Sequence, residues 1–147
     1  MSVYAFSFYD IVGRNARSFP DEPAWLEADT GRQFSFSEVK AQVDGLAAGL
    51  RTAGVAPGDR IGVLGKNSLE FFLLYGAAAA LGAILVPINW RLSAEEVAFN
   101  LGDVTPKLLF VDAEYQPIVE EIRSQLDSLD DCFNLQADAG GFRAYGD

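Results

Sequence analysis

Apolar and polar positions along the chain fall into short segments with helical or strand spacing. Between Phe6 and Phe19, apolar residues recur three to four positions apart, which predicts an amphipathic helix that Pro20 ends. A β-hairpin is predicted next, with a strand over Ala24 to Ala28, a turn at Asp29-Thr30-Gly31 and a return strand over Gln33 to Ser35. The chain therefore opens with a helix and a small antiparallel unit.

Short apolar strands and capped helices alternate through the rest of the chain. The predicted strands are Arg60 to Leu64, Ile84 to Pro87, Lys107 to Val111 and Cys132 to Leu135. Capping pairs three residues apart open three of the helices, at Ser35 with Glu38, Asn67 with Glu70 and Ser93 with Glu96. These helices are predicted to end near Gly54, Leu81 and Gly102, and a fourth spans Glu114 to Leu126. This order predicts an α/β fold, in which a mostly parallel sheet carries helices on both faces beside an N-terminal hairpin.

The length of 147 residues suits one domain. We divide it into a leading helix and linker at 6–23, the hairpin at 24–36, the alternating α/β segment at 37–136 and a tail at 137–147. The tail, ADAGGFRAYGD, is predicted to hold no element of its own and to leave the chain without a packed terminus.

Composition excludes several classes of chemistry. The chain has no histidine, which removes Ser-His-Asp and Cys-His catalysis and histidine metal sites. Cys132 is the only cysteine, so disulfide scaffolds and zinc clusters are excluded, and a reducing cytoplasm is expected. The net charge of −10 opposes binding of a phosphate backbone, so no nucleic-acid partner is expected.

An uncharged stretch from Phe71 to Ile88 reaches the lower limit of a membrane-spanning length. It is rich in alanine and glycine and breaks at Gly82, which favours a buried helix followed by a short strand over a membrane span. The N-terminus lacks the basic region and apolar core of a signal peptide.

Three motifs favour structural interpretations. The segment Gly62 to Ser68 lacks the spacing of a phosphate-binding P-loop, so Asn67 is interpreted as a helix cap. Asp112 follows an apolar strand, as the phosphoacceptor of a receiver domain does, but the required acidic pair and lysine are absent; it too is interpreted as a cap. Gly45 and Gly49 predict close helix packing.

The segment Asn89-Trp90-Arg91 is the candidate binding site. It follows a buried strand and precedes a capped helix, which puts it at the sheet edge where α/β proteins bind ligands. Two alternatives stay open for Arg91: it faces an incoming anion, or it pairs with Glu95 or Glu96 as an ordinary structural arginine. No catalytic or metal-binding residue is predicted in the chain.

The chain resembles the N-terminal part of the AMP-forming acyl-CoA synthetases, which are related to firefly luciferases and peptide-synthetase adenylation domains. The segments that carry the resemblance are FSFSEV from Phe34, GVAPGDRI from Gly54, and ALGA from Ala80 leading to PINWRL from Pro87. Their order and spacing from Phe6 to about Asp112 are more specific than any single segment. The resemblance implies the first subdomain of an adenylate-forming enzyme.

In this family a carboxylate attacks the α-phosphate of ATP with Mg²⁺ present, and coenzyme A (CoA) then displaces AMP. The resemblance implies that Arg91, with Asn89 and Trp90, lies toward the CoA entrance. The glycine-rich phosphate loop that ends in Pro-Lys-Gly is missing, as are the later adenine and ribose motifs and the lysine domain. We therefore expect an N-terminal fragment that is inactive alone and binds no cofactor by itself; ATP, Mg²⁺ and CoA belong to the full-length enzyme.

The carboxylic acid substrate is expected to be fatty or aromatic, because Trp90 is hydrophobic and no second charged group lies near it in the sequence. Cutting such an enzyme short would leave apolar surface or a sheet edge uncovered, so a homodimer or other self-association is expected. The alternative function is a stand-alone, non-catalytic α/β binding or regulatory module.

Overall fold

A computed structural model describes residues 6–135 and 142–144. The helices are α1 (Phe8–Ser18), α2 (Phe36–Thr52), α3 (Leu69–Leu81), α4 (Ala94–Val104) and α5 (Gln116–Ile122). The strands are β1 (Pro23–Leu26), β2 (Gln33–Ser35), β3 (Arg60–Leu64), β4 (Ile84–Ile88), β5 (Leu108–Val111), β6 (Asp131–Asn134) and β7 (Arg143–Ala144). Strands β1 and β2 pair antiparallel, which confirms the predicted hairpin.

The other five strands form one parallel sheet in the order β4-β3-β5-β6-β7. Side chains alternate across it: Leu108 and Phe110 of β5 pack beneath α2 and α3, whereas Leu109 and Val111 pack beneath α4 and α5. Helices thus cover both faces, as the alternation of strands and helices predicted. Helix α1 packs on the outer side of α2 and α3 through a third apolar cluster that includes Val12.

Local capping explains where the helices begin. Ser35 and Ser93 form the predicted boxes, each accepting the N–H of a glutamate three residues on. The cap predicted at Asn67 is wrong, because α3 begins one residue later and the Ser68 hydroxyl accepts the Phe71 N–H. Gly82 ends α3 with a φ of 68°, a conformation that favours glycine.

The C-terminal predictions need two corrections. The helix was expected from Glu114 to Leu126, but only the short α5 in the middle of this range is α-helical. It is flanked by two 3₁₀ turns, Ala113–Tyr115 and Arg123–Gln125. Pro117 lies in the first turn of α5, a position that proline favours. The tail was predicted to hold no element, yet Arg143 and Ala144 form β7 and pair with Phe133 and Asn134. The predicted tail residues 137–141 and 145–147 lie outside the described residues.

The prediction that Gly45 and Gly49 pack closely against another helix is wrong. Both glycines are exposed, and a Cβ added to either would meet no atom within 4 Å. They line a groove of about 660 Å³ between α2 and the sheet, which Phe110, Phe133 and Arg143 also line. Among the described residues, no helix has the length and apolarity to cross a membrane.

Candidate functional site

The carboxyl ends of three parallel strands meet at one edge of the sheet. Leu64, the last residue of β3, lies level with Ile88 of β4 and Val111 of β5. The three loops that follow, 65–68, 89–93 and 112–115, are therefore neighbours in space although they are distant in sequence. Loops at this edge are where ligands bind in open α/β sheets.

The loop after β4 brings Asn89, Trp90 and Arg91 together. The guanidinium carbon of Arg91 lies 3.9 Å from the centroid of the Trp90 ring, a cation–π contact. Asn89 has a local role, because its side-chain oxygen accepts the backbone N–H of Arg91 at 3.1 Å. Asn89 therefore shapes the turn that presents Arg91, while Trp90 supports the guanidinium.

The Arg91 guanidinium forms no ion pair with the described residues. Across residues 6–135 and 142–144, no carboxylate lies within 4.0 Å of its guanidinium, so the alternative pairing with Glu95 or Glu96 is not formed there. The Glu96 carboxylate instead accepts the backbone N–H and the hydroxyl of Ser93, both at 2.9 Å. Together these bonds hold the pKa of Glu96 below its ordinary value, and the bond from the Ser93 backbone N–H makes the larger contribution.

Two residues that the sequence analysis assigned no function join this site. The Lys66 ammonium lies 5.2 Å from the Trp90 ring centroid and 6.0 Å from that of Tyr115, and the two rings are 6.1 Å apart. Lys66 also bonds Glu114 at 2.6 Å. The signal in the sequence was positional: Lys66, Trp90 and Tyr115 all follow strand ends that the parallel register makes level.

Ion pairing and burial set the electrostatics around Lys66. The hydrogen bond to Glu114 raises the pKa of Lys66, so the side chain is cationic at neutral pH. Tyr115 is 5% exposed, and its side chain adds a smaller upward effect on the pKa of Lys66. The site thus combines two cations with two aromatic rings.

Asp112 has a different role from the one predicted. It occupies the position before the 3₁₀ turn, but its side chain does not cap that turn. Its carboxylate, 7% exposed, accepts the backbone N–H of Lys66 at 2.7 Å and so joins the ends of β3 and β5. Gly65 permits this approach, because a Cβ there would lie 2.7 Å from the Asp112 carboxyl carbon.

This arrangement is suited to holding an anion beside a flat or apolar group. Guanidinium and ammonium groups bind phosphates, and the Trp90 ring offers a stacking face. Within the described part of the chain, no three histidine, cysteine or acidic side chains converge as a metal site would require.

Comparison with known proteins identifies the family. Residues 12–145 match the model of the AMP-binding enzymes, and the chain belongs to that family. It is 39% identical over 109 residues to the fatty acid–[acyl-carrier-protein] ligase ScoC of Streptomyces coeruleorubidus, covering 74% of this chain and 20% of ScoC. It is also 39% identical over 117 residues to the long-chain-fatty-acid–CoA ligase FadD13 of Mycobacterium tuberculosis, covering 80% of this chain and 23% of FadD13.

A solved structure shares the fold closely. The anthranilate CoA ligase AuaEII, in complex with anthranoyl-AMP, superimposes with a TM-score of 0.87 at 28% identity, covering 99% of this chain and 27% of AuaEII. The chain therefore corresponds to the N-terminal portion of adenylate-forming ligases, and it spans about a fifth of the length of the two curated relatives.

Proposed function

We propose that this chain is the N-terminal scaffold of an ATP-dependent carboxylic acid–CoA ligase that acts on a fatty or aromatic acid in the cytoplasm. The observation that carries the proposal is Arg91, stacked on Trp90 and without an acidic partner among the described residues, at the ligand-binding edge of the sheet. Relatives named for fatty-acid activation and a structural neighbour named for anthranilate support this class of acid.

In this proposal the chain contributes the CoA entrance and other parts of a longer enzyme contribute the chemistry. Arg91 binds a CoA phosphate, Trp90 supports the guanidinium, and Asn89 holds the turn. The acyl-adenylate forms elsewhere, because the sequence has no Pro-Lys-Gly loop for the phosphates of ATP.

The first test is of activity in the isolated chain. We expect the purified 147-residue protein to catalyse no ATP–pyrophosphate exchange with fatty or aromatic acids, because nothing in its sequence would hold the transferring phosphoryl group. Exchange above the buffer rate that disappears on heating would contradict the proposed scaffold role. A Pro-Lys-Gly loop in the continuing reading frame would support the parent ligase.

The second test concerns Arg91 in a ligase that contains this chain. Arg91→Ala should raise the apparent KM for CoA about fivefold, since one charge-assisted contact at an exposed entrance contributes on the order of 1 kcal/mol. The adenylation half-reaction should be unchanged. Equal losses in both half-reactions would indicate a structural arginine instead.

We also propose that the isolated chain self-associates through the edge of its sheet, with a second copy as the partner. Strand β4 is the end strand of the sheet, its outer edge has no partner strand among the described residues, and Ile84 on it is 50% exposed. Light scattering should therefore show dimers or larger species. A monomer at high protein concentration would count against this.

A further inference from the structure

Two cations from different loops share one aromatic ring at the site. The Lys66 ammonium lies 5.2 Å from the Trp90 centroid and the Arg91 guanidinium carbon lies 3.9 Å from it. Because both distances are measured to the same centroid, the Lys66 nitrogen and the Arg91 guanidinium carbon are at most about 9 Å apart.

The backbone of Lys66 is held in place rather than free to move away from Arg91. Its N–H donates to the buried Asp112 carboxylate at 2.7 Å. Gly65 lets that carboxylate approach, so the loop after β3 is fixed against the end of β5. Like charges repel, so an anion that contacts both cations relieves their repulsion.

The acidic partner of Lys66 is easily displaced. The side chains of Lys66 and Glu114 are 50% and 62% exposed, and exposed ion pairs contribute little to stability. A phosphate carries more charge and more acceptor oxygens than one carboxylate, so it can replace Glu114 on the ammonium. Glu114 therefore occupies Lys66 in the free protein and competes with an anionic ligand.

We propose that Lys66 and Arg91 together bind the phosphate groups of one polyphosphate ligand, and that this ligand displaces Glu114 from Lys66. The inference rests on the proposed function, which supplies CoA as the ligand with its 3′-phosphate and its diphosphate. It adds a second binding residue, Lys66, and an internal competitor, Glu114, to the site of Arg91.

The experiment is a titration with CoA of a ligase that contains this chain, followed by NMR at the Trp90 indole N–H. Lys66→Ala should weaken CoA binding about fivefold, as expected for the loss of one charge-assisted contact. Lys66→Arg, which keeps the cation, should stay within about twofold of the wild type. Glu114→Gln should tighten binding about twofold to threefold, because the competing charge of an exposed pair is removed.

A matched control pair lies on α2. Lys40 also lies over an aromatic ring, 4.9 Å from the Tyr9 centroid, and pairs with Asp44 at 2.5 Å. Lys40→Ala and Asp44→Asn remove the same kinds of interaction at residues that do not contact Trp90 or Arg91. Neither should change the affinity for CoA, and thermal unfolding of each variant reports folding.

The outcomes separate this inference from the function on which it rests. If Arg91→Ala weakens CoA binding and Lys66→Ala does not, the proposed function stands and the role of Lys66 is overturned. If Glu114→Gln weakens CoA binding, Glu114 positions Lys66 for the ligand, and the proposal that Glu114 competes with CoA for Lys66 is overturned. If saturating CoA leaves the Trp90 signal unchanged in the wild-type ligase, both the proposed site and this inference fail.

Discussion

The two ends of the same parallel strands use their basic side chains differently. At the amino end, Arg60 donates to the carbonyl oxygens of Val104 and Thr105, each at 3.0 Å, and Lys107 donates to the Gly54 carbonyl at 2.6 Å. At the carboxyl end, Arg91 contacts a ring and Lys66 contacts two rings and one exposed carboxylate.

The amino-end cations bond backbone carbonyl groups, whereas the carboxyl-end cations are those of the proposed site. Through these bonds the amino-end cations connect the strands to the turns at Gly54 and at Val104–Thr105. The carboxyl-end cations leave most of their donors to solvent or a ligand. Substituting an amino-end cation should therefore lower stability, whereas substituting a carboxyl-end cation should lower the affinity for the proposed ligand. The exception is the loop after β3 at the carboxyl end, where the hydrogen bond between Lys66 and Asp112 also contributes to stability.

The largest effect is expected from Gly65→Ala, which breaks that anchor. The added Cβ would lie 2.7 to 3.0 Å from three atoms of the Asp112 carboxyl group, so the buried carboxylate must move and lose the Lys66 N–H. Overpacking together with the lost hydrogen bond should lower the free energy of unfolding by about 3 kcal/mol in urea denaturation.

The control for this substitution is Gly102→Ala on α4. A Cβ there meets no atom within 4 Å, so the same change should raise the free energy of unfolding by up to about 1 kcal/mol through helix propensity. A Gly65→Ala protein as stable as the wild type would show that Asp112 can leave its position without cost.

The next largest effect tests the two ends directly. Arg60→Ala should lower the free energy of unfolding by about 2 kcal/mol, because it leaves turn carbonyls without their charged donor. Arg91→Ala should change it by less than about 0.5 kcal/mol, as an exposed side chain without an ion pair does. Equal losses at both positions in urea denaturation would contradict the proposed division.

The sequence was sufficient for the elements with strong local signals. Arg60 to Leu64 was predicted as a strand with the observed bounds, because an apolar run between turns is a local property. The boxes at Ser35 and Ser93 were likewise predicted from a spacing of three residues. Strand β7 was missed because its two residues are defined only by pairing with β6.

The candidate site was only partly predictable, for the same reason. Arg91 and Trp90 are adjacent in sequence and were identified together, whereas Lys66 reaches Trp90 only through the parallel register of β3 and β4. Asp112 was interpreted as a local cap, but its hydrogen bond crosses to Lys66 on another loop. Contacts between loops depend on tertiary structure that local patterns do not encode.

The smallest effect concerns the capping box that follows Arg91. Ser93→Ala should lower the free energy of unfolding by about 1 kcal/mol at pH 7, the usual cost of losing a serine cap.

Glu96 adds a pH-dependent contribution to the stability of the same capping box. Its pKa lies below the ordinary value of 4.5, so its contribution is present above that value and is lost as the pH falls through the lowered pKa. The gap in thermal stability between the wild type and Glu96→Gln should therefore narrow from about pH 6 to about pH 3. Glu95→Gln, in the same first turn but outside the box, is the control. A gap that stays constant with pH would mean that Glu96 acts through helix propensity and not through its charged carboxylate, and Glu96 would then be free to pair with Arg91.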